Sequence, residues 1–244
     1  MRRRVDRSRG EAAALGAVVD VGRLAVAIER GGAGFLSPAE RAAWRAFPSA
    51  KRRREFAAGR LACKLAVRAA QRRSGRVPTP LHRLYIVRPG GKWPVCVAPG
   101  GRRWRLALSH DAELAVALCA CGRYDLGVDV ELMSARIVSD GDYFHPRECA
   151  SPTPEHNVWR WCIKEAWAKL LGDGVQDYFR DIEAHPFDGR WHVGLPPAVA
   201  ARVADAHMLC GRIGGSVLAV ALARVKPGPG GRRTGLHAPR QCFS

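Results

Sequence analysis

Three short stretches of this sequence set chemically capable side chains at useful spacings. The first, Leu126-Gly127-Val128-Asp129-Val130-Glu131-Leu132, alternates apolar and acidic residues. In a strand, alternate residues share a face, so Leu126, Val128, Val130 and Leu132 point into a core. Asp129 and Glu131 then point the other way, about 6–7 Å apart. Two carboxylates on one face repel unless a cation or basic group joins them. A hard divalent cation such as Mg²⁺, which prefers oxygen ligands, would relieve that repulsion. An ordinary strand with a wet acidic face would give the same pattern.

The second stretch runs from Trp159 to Gly172. Ile163, Ala166, Trp167 and Leu170 follow helical spacing and define a buried stripe. Trp161, Glu165 and Lys169, four residues apart, share roughly the opposite side. Glu165 and Lys169 also form an ordinary helix pair, but the bulky Trp161 beside them argues that something covers this face. The third stretch, Arg105 to Asp111, is a short apolar strand ending in Ser109-His110. Residues in direct succession do not build a hydrolase triad, which is assembled from separated positions. A hydroxyl and an imidazole at a strand end suit a phosphate, or a capped turn. Upstream, Gly90-Gly91-Lys92-Trp93-Pro94 presents one of only six lysines on a flexible turn, and Lys51–Arg54 with Arg60 make a densely basic helix.

Ser37-Pro38-Ala39-Glu40 is a helix start with a capping-box pattern. Residues 52–73 read as a helix ended by Ser74-Gly75. Short strands are expected around Leu84–Val87, Leu106–Ser109, Leu114–Cys121 and Gly127–Leu132, followed by a helix from about Glu155 to Leu171. The last third reads as strands near Ile182, Trp191–Val193, Met208–Ile213 and Ser216–Arg224. Helices and strands intersperse without regular βαβ alternation, so the expected fold class is α+β. Residues 1–20 are expected to be loose, with a flexible basic leader over 1–14, and residues 226–244 a disordered tail.

The 244 residues carry 40 Lys+Arg against 22 Asp+Glu, a formal charge of +18, which suggests an anionic partner. The two tails hold +8 of it: five Arg against Asp6 in residues 1–10, and Lys226, Arg232, Arg233 and Arg240 at the other end. No apolar run reaches the ~18–20 residues that span a bilayer. The basic opening is followed by too short an apolar segment for a signal peptide. The eight Cys lack paired zinc-site spacing, and free thiols fit a reducing cytoplasm.

In this order and spacing the motifs resemble the 4′-phosphopantetheinyl transferase superfamily, in its longer Sfp-like monomeric type. Gly127-Val128-Asp129-Val130-Glu131 is similar to the family's (G)(I/V)D(I/V/A)E motif, and Trp161 to Lys169 to its (W/F)xxKExxxK motif. Ser109-His110, the basic segment Arg52–Arg60 around Phe56, and Phe144-His145-Pro146-Arg147-Glu148 extend the likeness over about residues 37–225. There are two departures: Gly91-Lys92-Trp93-Pro94 stands where many relatives have Gly-Lys-Pro, and Asp111 follows the Ser-His pair.

The resemblance implies transfer of the phosphopantetheine arm of coenzyme A to a serine of an apo acyl or peptidyl carrier protein. It implies Mg²⁺ (or Mn²⁺) held by Asp129, Glu131 and Glu165, with Glu165 as general base and Lys169 on the phosphate under attack. Arg52, Arg60, Lys92, Ser109 and His110 would bind the adenosine bisphosphate. The implied architecture is two similar α+β subdomains, about 15–125 and 126–225, related by a pseudo-twofold with the site in the cleft between them. The implied protein is a cytoplasmic monomer with no nucleic-acid or membrane partner. The competing readings are a metal-dependent nuclease and a basic nucleic-acid-binding protein. Against the first, a nuclease lysine usually follows its acid by two residues on a strand, whereas Glu165 and Lys169 are four apart. The second leaves the three acids without purpose.

Overall fold

A computed structural model describes residues 14–91, 93–120, 124–138, 140–150, 153–172 and 178–226. The chain begins with β1 (Ala14–Asp20), α1 (Val21–Glu29), α2 (Pro38–Ala46) and α3 (Ala50–Arg73). There follow β2 (Tyr85–Val87), β3 (Val95–Val97), β4 (Arg103–His110), β5 (Leu114–Ala120) and β6 (Asp125–Leu132). The rest comprises α4 (Pro146–Cys149), α5 (Pro154–Leu171), β7 (Glu183–Phe187), β8 (Arg190–Gly194), α6 (Pro197–Ala200), β9 (Val203–Ile213) and β10 (Ser216–Val225). The fold is mixed α+β with antiparallel sheets, as its composition of elements implies.

The first sheet has the order β1-β5-β4-β3-β2, the second β6-β10-β9, and β7-β8 form a separate pair. α3 lays Ala57, Ala58, Ala62, Cys63 and Ala66 against the first sheet. These small side chains let the helix sit close, and at Gly59 a Cβ would come 3.3 Å from the Leu108 side chain. α5 packs Val158, Cys162, Ile163, Ala166 and Leu170 against Val217, Ala219 and Ala221 of β10. It approaches β6 so closely that a Cβ on Gly127 would lie 1.8 Å from the Ala166 carbonyl oxygen. A third cluster, with Ala107 and Val116 facing Leu126, Val128, Val130, Val220 and Leu222, joins the two sheets. The apolar stripe expected of residues 126–130 therefore has a definite partner.

Local chemistry explains the helix ends. Ser37 and Glu40 form the expected capping box, and Pro38 opens α2. Ser49 caps α3 two residues earlier than expected, accepting from the Arg52 amide. Thr153 and Pro154 start α5, and Gly172 ends it in the left-handed region at φ 74°. Each half also buries a lysine: Lys64 contacts Glu40, and Lys164 contacts Glu148, with all four side chains nearly solvent-free.

The beginning of the chain corrects an expectation. Residues 14–20 are not part of a loose leader but an edge strand paired with β5, from Ala14↔Ala120 to Asp20↔Leu114. Asp20 does not merely interrupt an apolar stretch; its carboxylate accepts from the Arg23 amide at 2.8 Å and starts α1. The partner of β1 lies some hundred residues away, so no local pattern announces it. The stretches 1–13 and 227–244, read as leader and tail, lie outside the described residues. No helix among the described residues is long and apolar enough to cross a membrane.

Candidate active site

The alternation in β6 puts Asp125, Gly127, Asp129 and Glu131 toward α5. This face is not wet: Asp129 is 2% exposed. α5 supplies the complementary groups, because four-residue spacing stacks Trp161, Glu165 and Lys169 on one side. Trp161 is covered, as its size suggested, by Tyr143 and Phe179 with ring centroids 5.7 and 5.4 Å away.

Asp129 is the centre of the group. Its Oδ1 accepts from Lys169 Nζ at 2.5 Å and from Ser109 Oγ at 2.7 Å. Lys169 Nζ also donates to Ser109 Oγ at 3.1 Å and lies 3.9 Å from Glu165 Oε2. Residues from β4, β6 and α5 thus meet at one point. Burial, reinforced by Asp129, pushes the Glu131 carboxyl up to about 7, against the pull of Lys169. Burial also raises Glu165 above the usual carboxylate range, with Lys169 drawing it down and Asp129 pushing it up. Crowded, desolvated acids of this kind mark functional sites more often than ordinary surfaces do.

The donor set suits a hard cation. Asp129 Oδ2 is buried with no hydrogen-bond partner, an open oxygen lone pair beside two carboxylates that repel it. The three acids are not drawn together as ligands, and no group of three His, Cys, Asp or Glu among the described residues is placed to hold an ion. The Lys169 ammonium is the cation that offsets Asp129 in this arrangement.

The other expected site residues divide. Ser109 is in the cluster, its hydroxyl already bonded to Asp129 and Lys169. His110 follows it, exposed, at the end of β4. Arg52 is exposed in the first turn of α3. Arg60 is half-buried, lies 4.6 Å over the Phe56 ring and 3.5 Å from Glu40, and is thus engaged within its own half. Lys92 lies outside the described residues.

Other residues matter that sequence reasoning missed. Asp111 caps its own turn through the Glu113 and Leu114 amides and accepts from Ser216 Oγ at 2.6 Å, tying the β4–β5 turn to β10. Arg105 pairs with Asp125 across the two sheets. Lys164, within the KExxxK pattern, points away from the acids; it donates to the carbonyls of Phe179, Arg180 and Ile182. Trp93, visible only as a departure from a familiar pattern, touches α5.

Among solved structures, the chain is similar to a holo-(acyl-carrier-protein) synthase from Bacillus anthracis in complex with coenzyme A (3′,5′-ADP). The identity is 21%, covering 44% of this chain and 92% of that one, with a TM-score of 0.38. A holo-[acyl-carrier-protein] synthase from Thermotoga maritima matches at 26% identity over 48% of this chain and 67% of that one, TM-score 0.34. An enzyme–coenzyme A complex from Chronobacterium ammoniagenes matches at 24% over 43% and 99%, TM-score 0.31. No curated protein matches. A family model, that of the 4′-phosphopantetheinyl transferase superfamily, matches residues 125–206. That segment, which holds Asp129, Glu131, Glu165 and Lys169, is similar to that superfamily.

Proposed function

We propose that this protein transfers the phosphopantetheine arm of coenzyme A to a serine hydroxyl of an apo acyl or peptidyl carrier protein, releasing adenosine 3′,5′-bisphosphate. The observation that carries the reading is the meeting of Asp129, Glu165, Lys169 and Ser109 at one buried point. It brings three elements, β4, β6 and α5, to bear on one site of a size to take a phosphate.

Asp129, Glu131 and Glu165 are the residues that would hold Mg²⁺ or Mn²⁺. Such an ion, when bound, offsets the negative charge of the pyrophosphate and of the leaving group. Glu165 accepts the serine proton, directly or through water, and its raised affinity for protons suits that task. The serine oxygen forms the new bond to the nearer phosphorus of the pantetheine side; the bond to the bridging oxygen breaks, and its electron pair leaves with the adenosine bisphosphate. Lys169 neutralises the phosphoryl oxygens during attack, held one helical turn from Glu165 so that both address the same reacting centre. Loading substrate exchanges the Lys169–Asp129 contact for contacts to phosphate. His110, Arg52 and Lys92 are left to receive the adenosine bisphosphate, joined by Arg60 if Glu40 releases it.

The two α+β subdomains, about 15–125 and 126–225, form the cleft for coenzyme A, and the protein acts as a cytoplasmic monomer. The test is incubation with coenzyme A, Mg²⁺ and a panel of apo fatty-acid, polyketide and nonribosomal-peptide carriers, read by mass spectrometry. A carrier gain of one phosphopantetheine arm is expected. No gain on any carrier, with cleavage of DNA or RNA instead, overturns the reading.

A further inference from the structure

Trp93 stands where the sequence departs from a Gly-Lys-Pro pattern, just ahead of β3. It is 76 residues from Lys169, yet its indole Nε1 donates to the Lys169 carbonyl at 2.9 Å and to the Leu170 carbonyl at 3.3 Å. Carbonyls in the last turn of a helix have no partner within it, so an outside donor satisfies groups that would otherwise need water. The ring is fixed on its other sides as well. The Arg105 guanidinium lies 4.4 Å over it, and Arg105 is ion-paired to Asp125 at the start of β6. Gly172 leaves room for the ring, since a Cβ there would come within 2.5 Å of Cζ2.

Lys169 is therefore held twice by the first half of the chain. Its backbone is held by Trp93, and its ammonium is held by Ser109 together with Asp129 of β6. We infer that Trp93 is a positioning residue. By binding the end of α5 it sets the reach of Lys169 toward Asp129. The inference rests on the transferase reading for its effect on turnover, but not for the contact itself.

Trp93→Phe keeps an aromatic ring and removes the N–H. In the full chain it is expected to lower kcat about tenfold with a smaller change in KM for coenzyme A, as misplacement of a reacting group does. In a Lys169→Arg background the same change should cost much less, because both act on one group. Gly172→Ala keeps the indole but displaces it, and should lower kcat in the same way; it serves if Trp93→Phe does not fold. Unaltered kcat in both variants, or the full loss repeated in the Lys169→Arg background, overturns the inference. If the unaltered protein transfers nothing, the function has failed rather than the contact. Hydrogen exchange then decides: Trp93→Phe should speed amide exchange in the last turn of α5, and an unchanged rate there overturns the contact.

Discussion

In the first half of the molecule α3 crosses the five-stranded sheet and buries Lys64 against Glu40; in the second, α5 crosses β6 and β10 and buries Lys164 against Glu148. Both glutamates sit in capping boxes that open a short helix at a proline. Both accept from a strand amide, Ile86 in one case and Ala184 in the other. Both lysines have an arginine four residues earlier, Arg60 and Arg160. The strand order β1-β5-β4-β3-β2 of the first half stands against β6-β10-β9 and the separate β7-β8 pair of the second. When Lys64 is set on Lys164, Leu65 falls on Glu165 and Ala69 on Lys169. The two halves share these features, but the acid and the lysine of the proposed site have apolar counterparts in the first half. The comparison separates two lysines that a motif lists together: Lys164 holds the helix to its surroundings, while Lys169 faces the acids.

The sharpest way to break this comparison is to remove the asymmetric groups. Glu165→Gln should lower kcat at least a hundredfold, the usual range for a lost acid–base group. Its melting temperature should stay near that of the unaltered protein, because Glu165 lies off the buried stripe. Leu65→Ala, at the matching place on α3, should leave kcat within about twofold, since Leu65 has no ionisable group and packs against the first core, and lose stability instead. Equal kinetic losses would dissolve the distinction.

Next come the clamps. Lys164→Met and Lys64→Met should each cost about 3–5 kcal/mol by denaturant unfolding, because each strands a buried carboxylate. Lys164 should cost more, as it also serves the carbonyls of Phe179, Arg180 and Ile182. A loss below about 1 kcal/mol at either, the level of an exposed pair, would show that it is not a clamp.

The glycines give a third contrast. Gly127→Ala meets backbone and should destabilise by about 3 kcal/mol or more, the upper range for overpacking. Gly59→Ala meets only the flexible end of Leu108 and gains helix propensity, so a change within about 1 kcal/mol is expected. Urea unfolding of both variants checks the pair.

The smallest effect concerns thiols. Burial pushes Cys63 and Cys96 up to about 12 from an ordinary value of 9.0. The folded state thus favours the neutral thiol, so both should resist alkylation at pH 8 until the protein unfolds. Because the raised groups lose protons first in the unfolded chain, stability should fall as pH climbs from about 9 toward 12. Labelling kinetics and melts across that range test both statements.

Much of the second half was legible. The alternation around Asp129 and the four-residue spacing of Trp161, Glu165 and Lys169 are short-range signals that strands and helices obey directly. The cap at Ser37 was equally local. β1 was not legible, since an edge strand with one buried residue, Val19, owes its form to pairing with β5. The pairing of Arg60 with Glu40 was not legible, because basic charge on a helix says nothing about a glutamate from another helix standing beside it. Trp93 showed as an oddity of spacing, with no hint of the helix end it binds.

By itself, the sequence determined which side chains share a face, where α2 begins and α5 ends, and which family's motifs it resembles, because each depends on neighbours within a few bonds or turns. Only the tertiary structure decided which of those groups meet. Lys169 turned toward Asp129 while Lys164 turned inward, Ser109 joined the acids, and Trp93 closed on α5. These choices come from packing two sheets and two helices around shared cores, where a buried charge or carbonyl must find its partner from whatever the rest of the chain brings near.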